Sequence, residues 1–317
     1  MEQICILVPV YNAIQWIDGC IRSVINQTYR HWHLVLVDDG STDGTDEIMR
    51  NYAESDSRIT VVSRPNGGFS AARNTALANM GEAEYVCFLD SDDTLPDTAL
   101  EVMLAAAHTS GAPLVSGVYT SGEVSTSGTR VRGLRVISAD DAICRVLTQR
   151  GFDNSLWAKL FRADLLRDIT FKDGIAYEDL EIFHRIYRRA GTICRISNTV
   201  YRYRQHADSF MRSDLPAHFD IIDVTAGIER LAAESGDKTM LQAARDRSFS
   251  AAANLYRRLV RGTLTPARGY DADAMWQILT ERAAEIPLGR GHRLKNRLGA
   301  TAALAGRRIF TLLCRLI

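Results

Sequence analysis

The sequence predicts an α/β fold built on a mostly parallel sheet, and two patterns indicate this class. Four short runs, at residues 4–10, 33–39, 59–63 and 85–90, are mainly apolar and rich in strand-forming side chains. Runs of this kind are typical of parallel strands, because helices cover both faces of such a sheet. Segments with an apolar repeat of about 3.6 residues separate the runs, so strands and helices alternate as in a doubly wound layer.

Helices are predicted wherever apolar residues recur at helical spacing. One helix should follow each of the first three strands, on the residues Ile14, Ile17, Ile21, Val24 and Ile25, then Ile48 and Tyr52, then Ala72, Ala76 and Met80. After Pro216 the strand patterns end, and long amphipathic patterns take over, for example Ile221, Val224, Ile228 and Leu231. We therefore expect a Rossmann-like sheet flanked by helices, followed by a C-terminal helical extension.

Charge and cysteine usage limit the class of protein. The 317 residues include 38 basic and 38 acidic side chains, so the formal charge is zero, which argues against nucleic acid as a partner. The six cysteines are scattered without the paired spacing of metal sites, which predicts free thiols in a reducing compartment. The first residues read as a strand and not as a signal peptide, and no apolar run reaches the roughly 18 residues of a membrane span. We expect a cytoplasmic catalytic body.

Acids, glycines and small hydroxyls follow all four predicted strands. The most unusual group is Asp90, Asp92 and Asp93, directly after an apolar run. Unpaired carboxylates are costly inside a sheet, so these acids must lie at the carboxyl end of the strand, where open α/β sheets bind ligands. One interpretation is a solvated turn before a helix. The other is a site for a divalent cation and phosphate oxygens.

The segment after the first strand argues against two other nucleotide-dependent classes, of which the nucleotidyltransferase is a third option for this chain. It reads Tyr11-Asn12-Ala13-Ile14 and lacks the glycine-rich dinucleotide fingerprint, which argues against a nicotinamide-dependent dehydrogenase. A nucleotidyltransferase would need a glycine-rich and basic phosphate loop at the same place. No such loop is visible in the sequence.

Four motifs, found together and in order, resemble those of family 2 glycosyltransferases with the GT-A fold. They are VPVYN at 8–12, QTYRHWHLVLVDDGSTDGT at 27–45, NGGFSAARN at 66–74 and FLDSDD at 88–93. The resemblance spans about the first 210 residues. It implies that the chain uses a UDP-sugar donor, a divalent cation and an inverting displacement.

The resemblance assigns the strand-end segments to the donor. Asp39 would hydrogen-bond the uracil ring, with Asp38 as the weaker candidate, and Pro9 and Tyr11 would form the wall around the base. Arg73 would reach the nucleotide or the sugar, although an exposed helix arginine is the alternative interpretation. Further contacts with the donor would come from Asn66, Gly67, Arg73, Asp90 and Ser91. The alternative interpretation of Gly67 is that it only forms a turn.

The same resemblance implies a metal site for Mn²⁺ or Mg²⁺. Asp92 would be the direct ligand, and Asp90 would lie near the ribose or a metal-bound water. His206 resembles a residue that supplies a further metal or diphosphate contact in some relatives, although a surface histidine is an open alternative. Asp93 is expected to be a helix cap or a supporting residue behind the ligands.

Glu178 and Asp179 precede an apolar pattern of helical spacing. On local grounds, acids in a first helical turn only complement the helix dipole. The resemblance implies more, since family members place an acidic pair here whose Asp is the general base. Asp179 is therefore the predicted catalytic residue, and Glu178 would orient or contact the acceptor. Trp157 would line the acceptor side, with a core residue as the alternative.

The implied function is that of an inverting, metal-dependent glycosyltransferase. It would move one sugar from a UDP-sugar to a hydroxyl of a glycan or lipid-linked glycan, in the synthesis of a bacterial cell-surface polysaccharide such as a capsule or exopolysaccharide. The Gln-x-x-Arg-Trp motif of processive synthases is absent from the sequence, which predicts one sugar per encounter. The alternative is a catalytically silent nucleotide-sugar-binding or scaffold protein of the same fold.

The predicted domain division follows from these assignments. Residues 1–212 would form the catalytic domain, with a nucleotide-sugar half at about 1–120 and an acceptor half at about 121–212. Residues 213–317 would form the helical region.

The end of the chain is basic and apolar. After Glu285 there is no acid, whereas seven basic residues follow: Arg290, Arg293, Lys295, Arg297, Arg307, Arg308 and Arg315. Leucines and isoleucines recur at helical spacing between them, which predicts one basic amphipathic helix over residues 292–317. Such a helix would contact an anionic membrane surface, giving peripheral attachment at the inner face of the cell membrane. The alternatives are packing on its own domain or on a second subunit in a homodimer.

Overall fold

The computed structural model describes residues 2–122, 128–206, 214–286 and 292–316, and these form one eight-stranded sheet and eleven α-helices. The strands are β1 Ile4–Val10, β2 Trp32–Asp38, β3 Ile59–Ser63, β4 Tyr85–Phe88, β5 Leu114–Thr120, β6 Arg135–Ser138, β7 Lys159–Arg162 and β8 Thr192–Arg202. The helices are α1 Ile17–Ile25, α2 Thr45–Ser55, α3 Phe69–Ala78, α4 Ala99–Ser110, α5 Ala139–Leu147, α6 Glu178–Ala190, α7 Asp220–Glu234, α8 Lys238–Val260, α9 Ala272–Glu285, α10 Leu294–Leu304 and α11 Arg307–Leu316.

The strands follow the order β3-β2-β1-β4-β7-β5-β8-β6 across the sheet. Strands β3, β2, β1 and β4 are mutually parallel, β7 is antiparallel to β4 and β5, β5 and β8 are parallel, and β6 is antiparallel to β8. The predicted mostly parallel sheet with flanking and C-terminal helices is confirmed. The carboxyl ends of β1, β2, β3 and β4 share one side of the sheet, which we call the acidic edge.

The central strands are buried because their sequences are apolar throughout. All seven residues of β1 are buried, and the inner face of α1 adds Ile17, Ile21 and Val24, each fully buried. Burying one such side chain contributes about 1.5–3 kcal/mol. This layer therefore holds the acidic edge in place.

The described residues cluster into two compact units. The first draws on Met1–Ala139, Ser155–Gly174 and Ile182–His206, and it contains all eight strands. The second draws on Asp140–Asn154, Ile175–Glu181 and Ala207–Ile317, and it contains helices α7 to α11. The predicted domain boundary at residue 212 lies outside the described residues.

A buried carboxylate organises the second unit. Asp246, in the middle of α8, is fully buried and accepts hydrogen bonds from the backbone nitrogen of Arg293 at 3.1 Å and from its Nε at 2.5 Å. The backbone oxygen of Asp246 also accepts from Nδ2 of Asn296 at 2.9 Å. A buried charge is tolerated only when it is paired and hydrogen-bonded, so these bonds tie the start of α10 to α8.

The prediction of one continuous C-terminal helix is wrong. The segment forms two helices, α10 and α11, which separate at Gly306. Gly306 has φ of 125°, a conformation that glycine adopts without steric cost. Phe310 and Cys314 of α11 are buried, and the ring of Phe310 lies 5.7 Å from that of Tyr256 on α8. The inner face of α11 is therefore part of the core of the second unit.

Among residues 2–122, 128–206, 214–286 and 292–316, no helix is both long enough and apolar enough to cross a membrane.

Candidate active site

Two loops at the acidic edge, which follow β1 and β2, are joined by hydrogen bonds. The backbone nitrogen of Asn12 donates to Oγ of Ser41 at 3.0 Å, and Oδ1 of Asn12 accepts from the backbone nitrogen of Thr42 at 2.8 Å. Pro9 is buried within β1, whereas Tyr11 is 52% exposed. The ring of Tyr11 therefore faces solvent, and the loop that carries it is fixed by the hydrogen bonds of Asn12.

Asp39 is only 2% exposed and binds the loop that follows β3. Its Oδ2 accepts from the backbone nitrogens of Gly68 at 2.8 Å and Gly67 at 3.2 Å. Its Oδ1 accepts from the nitrogen of Gly67 at 3.1 Å and from Nη1 of Arg64 at 2.9 Å. These donors compensate the cost of burying the carboxylate. Asp38, the weaker candidate, instead accepts from the backbone nitrogen of Ser41 at 2.9 Å.

The loop after β3 takes its shape from its glycines. Gly68 has φ of 85° and directly precedes α3, so the backbone turns there in a conformation that favours glycine. A Cβ on Gly67 would lie 2.6 Å from Nη2 of Arg64, so a side chain there would displace the guanidinium. Asn66 is exposed beside them. The loop therefore needs both glycines to close on Asp39.

Arg73 lies inside the first unit, at 3% exposure. Its Nη2 is 3.5 Å from Oδ1 of Asp90. Its guanidinium carbon lies 4.1 Å from the ring centroid of Phe69 and 5.7 Å from that of Phe171, which are favourable cation–π separations. The alternative interpretation of Arg73 as an exposed helix arginine is therefore wrong. Arg73 brings a positive charge to residues 90–93, which we call the acidic loop.

Asp92 meets His206. Nε2 of His206 lies 2.8 Å from Oδ2 of Asp92, and the histidine side chain is 19% exposed. The imidazole of His206 stacks on Trp16 with ring centroids 5.7 Å apart. The guanidinium of Arg204 lies 4.6 Å from the centroid of the Trp16 ring. Ser91 is partly buried beside Asp92. The structure thus joins the two side chains that the sequence predicts as metal contacts.

Asp93 supports the acidic loop from behind. At 1% exposure, its Oδ2 accepts from Oη of Tyr201 at 2.7 Å and its Oδ1 accepts from the backbone nitrogen of Arg204 at 2.7 Å. Burial raises the pKa of Asp93 to about 8, and the charges of Asp90 and Asp92 add to the increase, although both hydrogen bonds oppose it. Asp93 therefore anchors the loop to the end of β8.

The acidic loop carries a carboxylate that meets an imidazole, and both are side-chain types that bind divalent cations. Nε2 of His206 and Oδ2 of Asp92 lie 2.8 Å apart, which is a hydrogen-bond distance, so a cation would have to replace that hydrogen bond. Within the described ranges, no group of three or more His, Cys, Asp or Glu side chains is arranged to hold a metal. Mg²⁺ is commonly bound by one or two carboxylates together with phosphate oxygens and water. A cation here would share its coordination with a bound nucleotide.

Glu178 and Asp179 begin helix α6, in the part that belongs to the second unit. Tyr177 precedes them with φ of 63°, which is uncommon for a residue with a side chain. Glu178 is 9% exposed, and Oδ1 of Asp179 accepts from the backbone nitrogen of Leu180 at 2.6 Å. Burial lowers the pKa of Arg247 on α8, whereas the charge of Asp179 raises it. Asp179 therefore lies within electrostatic reach of a guanidinium.

Trp157 belongs to an aromatic cluster in the first unit. Its ring stacks on Tyr201 with centroids 4.8 Å apart, meets Tyr119 edge-on at 4.8 Å and stacks on Tyr203 at 6.0 Å. It is partly buried against the core of the sheet. A role on the acceptor side stays a prediction.

Six of the predicted site residues meet in three pairs in the structure: Asp39 with Gly67, Arg73 with Asp90, and Asp92 with His206. The sequence analysis missed the residues that complete these contacts, which are Trp16, Arg64, Tyr201 and Arg204. The contacts of Arg204 with Asp93 and Trp16 depend on how β8 returns to the acidic loop, which no local pattern reports.

Comparisons with known proteins identify the family to which the chain is related. The sequence profile of the family described as Glycosyl transferase family 2 matches residues 5–170, which is just over half of the 317 residues. The chain is similar to glycosyltransferase GlyG of Streptococcus pneumoniae serotype 4, with 29% identity over 236 residues that cover 70% of this chain and 78% of GlyG. It is also similar to TuaG of Bacillus subtilis, a putative teichuronic acid biosynthesis glycosyltransferase, with 42% identity over 102 residues that cover 32% of this chain and 40% of TuaG.

The fold is shared with a solved structure. The crystal structure of S. aureus TarS 1–349 in complex with UDP-GlcNAc superposes with a TM-score of 0.74 and 21% sequence identity, and the match covers 99% of this chain and 91% of that one. At this level of identity the likeness establishes the fold.

Proposed function

The chain belongs to glycosyl transferase family 2 and is a glycosyltransferase, and from this premise we propose its reaction. It transfers one sugar from a UDP-sugar to a hydroxyl of a glycan or lipid-linked glycan, with a divalent cation and with inversion at the anomeric carbon. The observation that carries the proposal is the pair Asp92–His206 at 2.8 Å on the acidic edge, where open α/β sheets bind their ligands.

The donor base binds at the loops after β1, β2 and β3. Asp39 is held by the backbone nitrogens of Gly67 and Gly68, so its carboxylate has a fixed direction before a ligand arrives. Preorganised acceptors discriminate well between bases, because a mismatch leaves a buried polar group unpaired. In this proposal Asp39 accepts a hydrogen bond from the uracil ring, and the exposed ring of Tyr11 covers the base.

The diphosphate binds at the acidic loop. Asp92 and His206 would hold Mn²⁺ or Mg²⁺, which would neutralise charge on the leaving diphosphate. Asp90, with Arg73 beside it at 3.5 Å, contacts the ribose or a water. Asp93 and Tyr201 keep the loop in position through their hydrogen bond of 2.7 Å.

Asp179 is the proposed general base. It accepts the proton of the acceptor hydroxyl while the hydroxyl oxygen forms a bond to the anomeric carbon. The bond from that carbon to the phosphate oxygen breaks, and its electron pair leaves with UDP. General-base catalysis of this kind contributes about two to four powers of ten to the rate. Glu178, beside it and nearly buried, orients the acceptor.

The product belongs to a bacterial cell-surface polymer in this proposal. Similarity to TuaG, whose name refers to teichuronic acid biosynthesis, supports that class of acceptor. The sequence lacks the Gln-x-x-Arg-Trp motif of processive synthases, so the enzyme adds one sugar and releases the product.

A panel of nucleotide sugars tests the donor assignment. The full-length protein is incubated with UDP-, GDP-, dTDP- and CMP-sugars in the presence of Mn²⁺, and release of the free nucleotide is measured. We expect hydrolysis of at least one UDP-sugar and loss of that hydrolysis with EDTA. Preference for a GDP-, dTDP- or CMP-sugar would contradict the base assignment, and UDP binding without any turnover or transfer would support the silent-protein alternative.

We also propose that α10 and α11 bind an anionic membrane surface. Seven of the thirteen large apolar side chains that are exposed among the described residues lie on these two helices: Leu294, Leu298, Leu304, Ile309, Leu312, Leu313 and Leu316. Their exposure ranges from 40% to 74%. The sequence contains no acid after Glu285, and each cation near an anionic leaflet contributes about 1 kcal/mol. Apolar side chains with cations beside them are the pattern of an interfacial helix.

Flotation with vesicles tests the membrane proposal. Deleting the tail would remove Phe310 and Cys314 from the core, so point substitutions are the better probe. Wild-type protein should float with phosphatidylglycerol vesicles at low salt and less at high salt, and the double variant Leu312→Gln, Leu316→Gln should lose most of this binding. Leu215→Gln, at a residue that is 45% exposed elsewhere, is the matched control. Absence of binding by the wild type, together with a dimer that the double variant dissociates, would favour a second subunit instead.

A further inference from the structure

A cavity of about 400 Å³ lies within the second unit. Its lining residues are Tyr177, Ile221, Ala251, Asn254, Leu255, Arg257, Arg258 and Thr263. Two guanidinium groups, a phenol and an amide supply its polar surface, and none of these described lining residues is an acid. The volume lies within the range of small-molecule sites. A cavity with this lining favours an anionic group.

Arg258, one of the two cations of this cavity, lies on a face of α8 that also carries Arg247. Residues 247, 251, 254 and 258 recur at spacings of three or four, so they share a side of the helix. Arg247 and Arg258 are therefore separated by about 16 Å along the axis, at a rise of about 1.5 Å per residue. We call Arg247, Asn254 and Arg258 the basic face of α8.

The basic face runs beside the segment that carries the proposed base. Burial raises the pKa of Tyr177 to about 12, whereas Arg258 and Arg247 both lower it, so both guanidinium groups act on this phenol. Arg247 is also influenced by the charge of Asp179. Tyr177, which lines the cavity, is two residues from Asp179 in the chain. Arg247 interacts electrostatically with both residues.

Neighbouring groups hold the lining side chains. Nη2 of Arg258 donates to the backbone oxygen of Thr263 at 3.3 Å, and Nη2 of Arg257 donates to Oδ1 of Asn254 at 3.0 Å. Oη of Tyr177 lies 3.2 Å from Nδ1 of His218. A guanidinium carries five N–H donors in a planar fork, which suits two-point binding of a phosphate. The lining is thus ordered as well as positively charged.

We propose that this cavity binds a phosphate group of the acceptor, so that the acceptor is a phosphate-bearing glycan or lipid. The inference rests on the proposed function, because Asp179 as the base is what makes the neighbouring cavity an acceptor site. A lipid-linked sugar diphosphate and a phosphodiester of a polymer present the same chemistry to Arg257 and Arg258. Phosphate bound in the cavity would position an acceptor hydroxyl along the segment from Tyr177 to Asp179.

Calorimetry on the full-length protein tests the cavity. UDP and Mg²⁺ are kept saturating so that the donor site is filled, and inorganic phosphate, glycerol 3-phosphate and geranyl diphosphate are titrated in turn. Wild-type protein should bind at least one of these probes, and Arg258→Gln should weaken that binding about tenfold or more. Arg261→Gln is the matched control, since Arg261 is exposed just after α8 and does not line the cavity. Equal affinities in all three proteins, or no binding to the wild type, would overturn the proposal.

Further variants separate the possible sources of a loss. Arg258→Lys keeps the charge and should retain part of the affinity, and Arg257→Gln gives a second test if Arg258→Gln does not fold. Stronger binding of geranyl diphosphate would indicate a lipid-linked acceptor, and stronger binding of glycerol 3-phosphate would indicate a site for a single phosphate group without a lipid. UDP affinity is measured first in the same samples. If UDP binds normally and none of the phosphate probes binds, only this inference is refuted. If a phosphate probe binds in a manner that depends on Arg258 and UDP does not bind, only the proposed donor is refuted.

Discussion

The acidic edge of the first unit and the basic face of α8 in the second unit carry opposite charges and are built in different ways. At the edge, Asp39 and Asp93 each accept hydrogen bonds from backbone nitrogens of other loops. On α8, Arg247 and Arg258 share one side of a continuous helix, and the charges of both lower the pKa of Tyr177. In the proposed reaction, the edge would recognise its ligand mainly through acceptors that the backbone fixes, whereas the basic face would do so mainly through the charge of its guanidinium groups.

The largest expected effect is on the transfer rate, and it comes from Asp179, the proposed general base in the second unit. Asp179→Asn should lower the transfer rate by about two to four powers of ten, because an amide does not accept the proton of the acceptor hydroxyl. Affinity for UDP should stay near the wild-type value, since the proposed donor contacts all lie in the first unit. Single-turnover transfer and UDP calorimetry measure the two quantities.

Glu181→Gln provides the matched control for the general base. Glu181 lies in the same first turn of α6, so it tests the loss of any nearby negative charge. Equal losses of rate in the two variants would remove Asp179 from its special role. A wild-type rate in Asp179→Asn would have the same consequence.

The second effect tests whether geometry governs the edge. In the wild type, the backbone nitrogens of Gly67 and Gly68 donate to the carboxylate of Asp39. Asp39→Asn keeps the shape of the side chain but places N–H groups opposite these donors. Leaving such groups unpaired costs about 1–3 kcal/mol, so UDP affinity should fall about 10-fold to 100-fold. Asp46→Asn, on α2, is the control, and it should leave UDP affinity unchanged. An unchanged affinity in Asp39→Asn would show that the edge is less rigid than its hydrogen bonds indicate.

The smallest expected effect concerns the pH dependence of stability and does not involve ligand binding. His184 on α6 is 6% exposed, and burial, together with Arg188 and Arg185, lowers its pKa from 6.5 to about 4. Between these pH values the unfolded chain binds the proton and the folded chain does not, so the free energy of unfolding should decrease as pH falls from about 6.5 to 4. The slope from this residue is at most about 1.4 kcal/mol per pH unit.

Urea denaturation at several pH values measures this slope. His184→Gln should flatten it, even if the substitution also lowers stability at every pH. His31→Gln, at an exposed position, should leave the slope as it is in the wild type. An unchanged slope in His184→Gln would mean that other groups account for the acid sensitivity.

Much of the first unit could be predicted from the sequence because its signals are local. The predicted runs at 4–10 and 59–63 coincide with β1 and β3, β2 begins and ends one residue before the predicted run, and β4 ends at Phe88, before the acids. Strand ends, glycine turns and acids were adjacent in the sequence, so the acids could be placed at the acidic edge by position, and the resemblance then selected Asp39, Asp92 and His206. Neither Arg64 nor the contact between His206 and Asp92 could be predicted, since both depend on how the loops fold together.

The rest of the sheet and the second unit were harder to predict for physical reasons. Strands β6 and β7 have only four residues each, too few to show a periodicity. The buried pair of Asp246 and Arg293 links residues that are 47 positions apart, and neither has a local signal. The break at Gly306 was missed because the apolar repeat continues across it, although the glycine marks the turn.

Calorimetry of UDP binding with and without Mn²⁺ tests the central claim most directly, which is that the acidic loop binds a cation together with the donor. In the wild type, Mn²⁺ should raise the affinity for UDP by about tenfold or more, and Asp92→Asn should abolish that increase, since a neutral amide removes a charge that the cation needs. Asp97→Asn, an exposed residue close by in the chain, should behave like the wild type. The same increase with Mn²⁺ in Asp92→Asn as in the wild type would contradict the account.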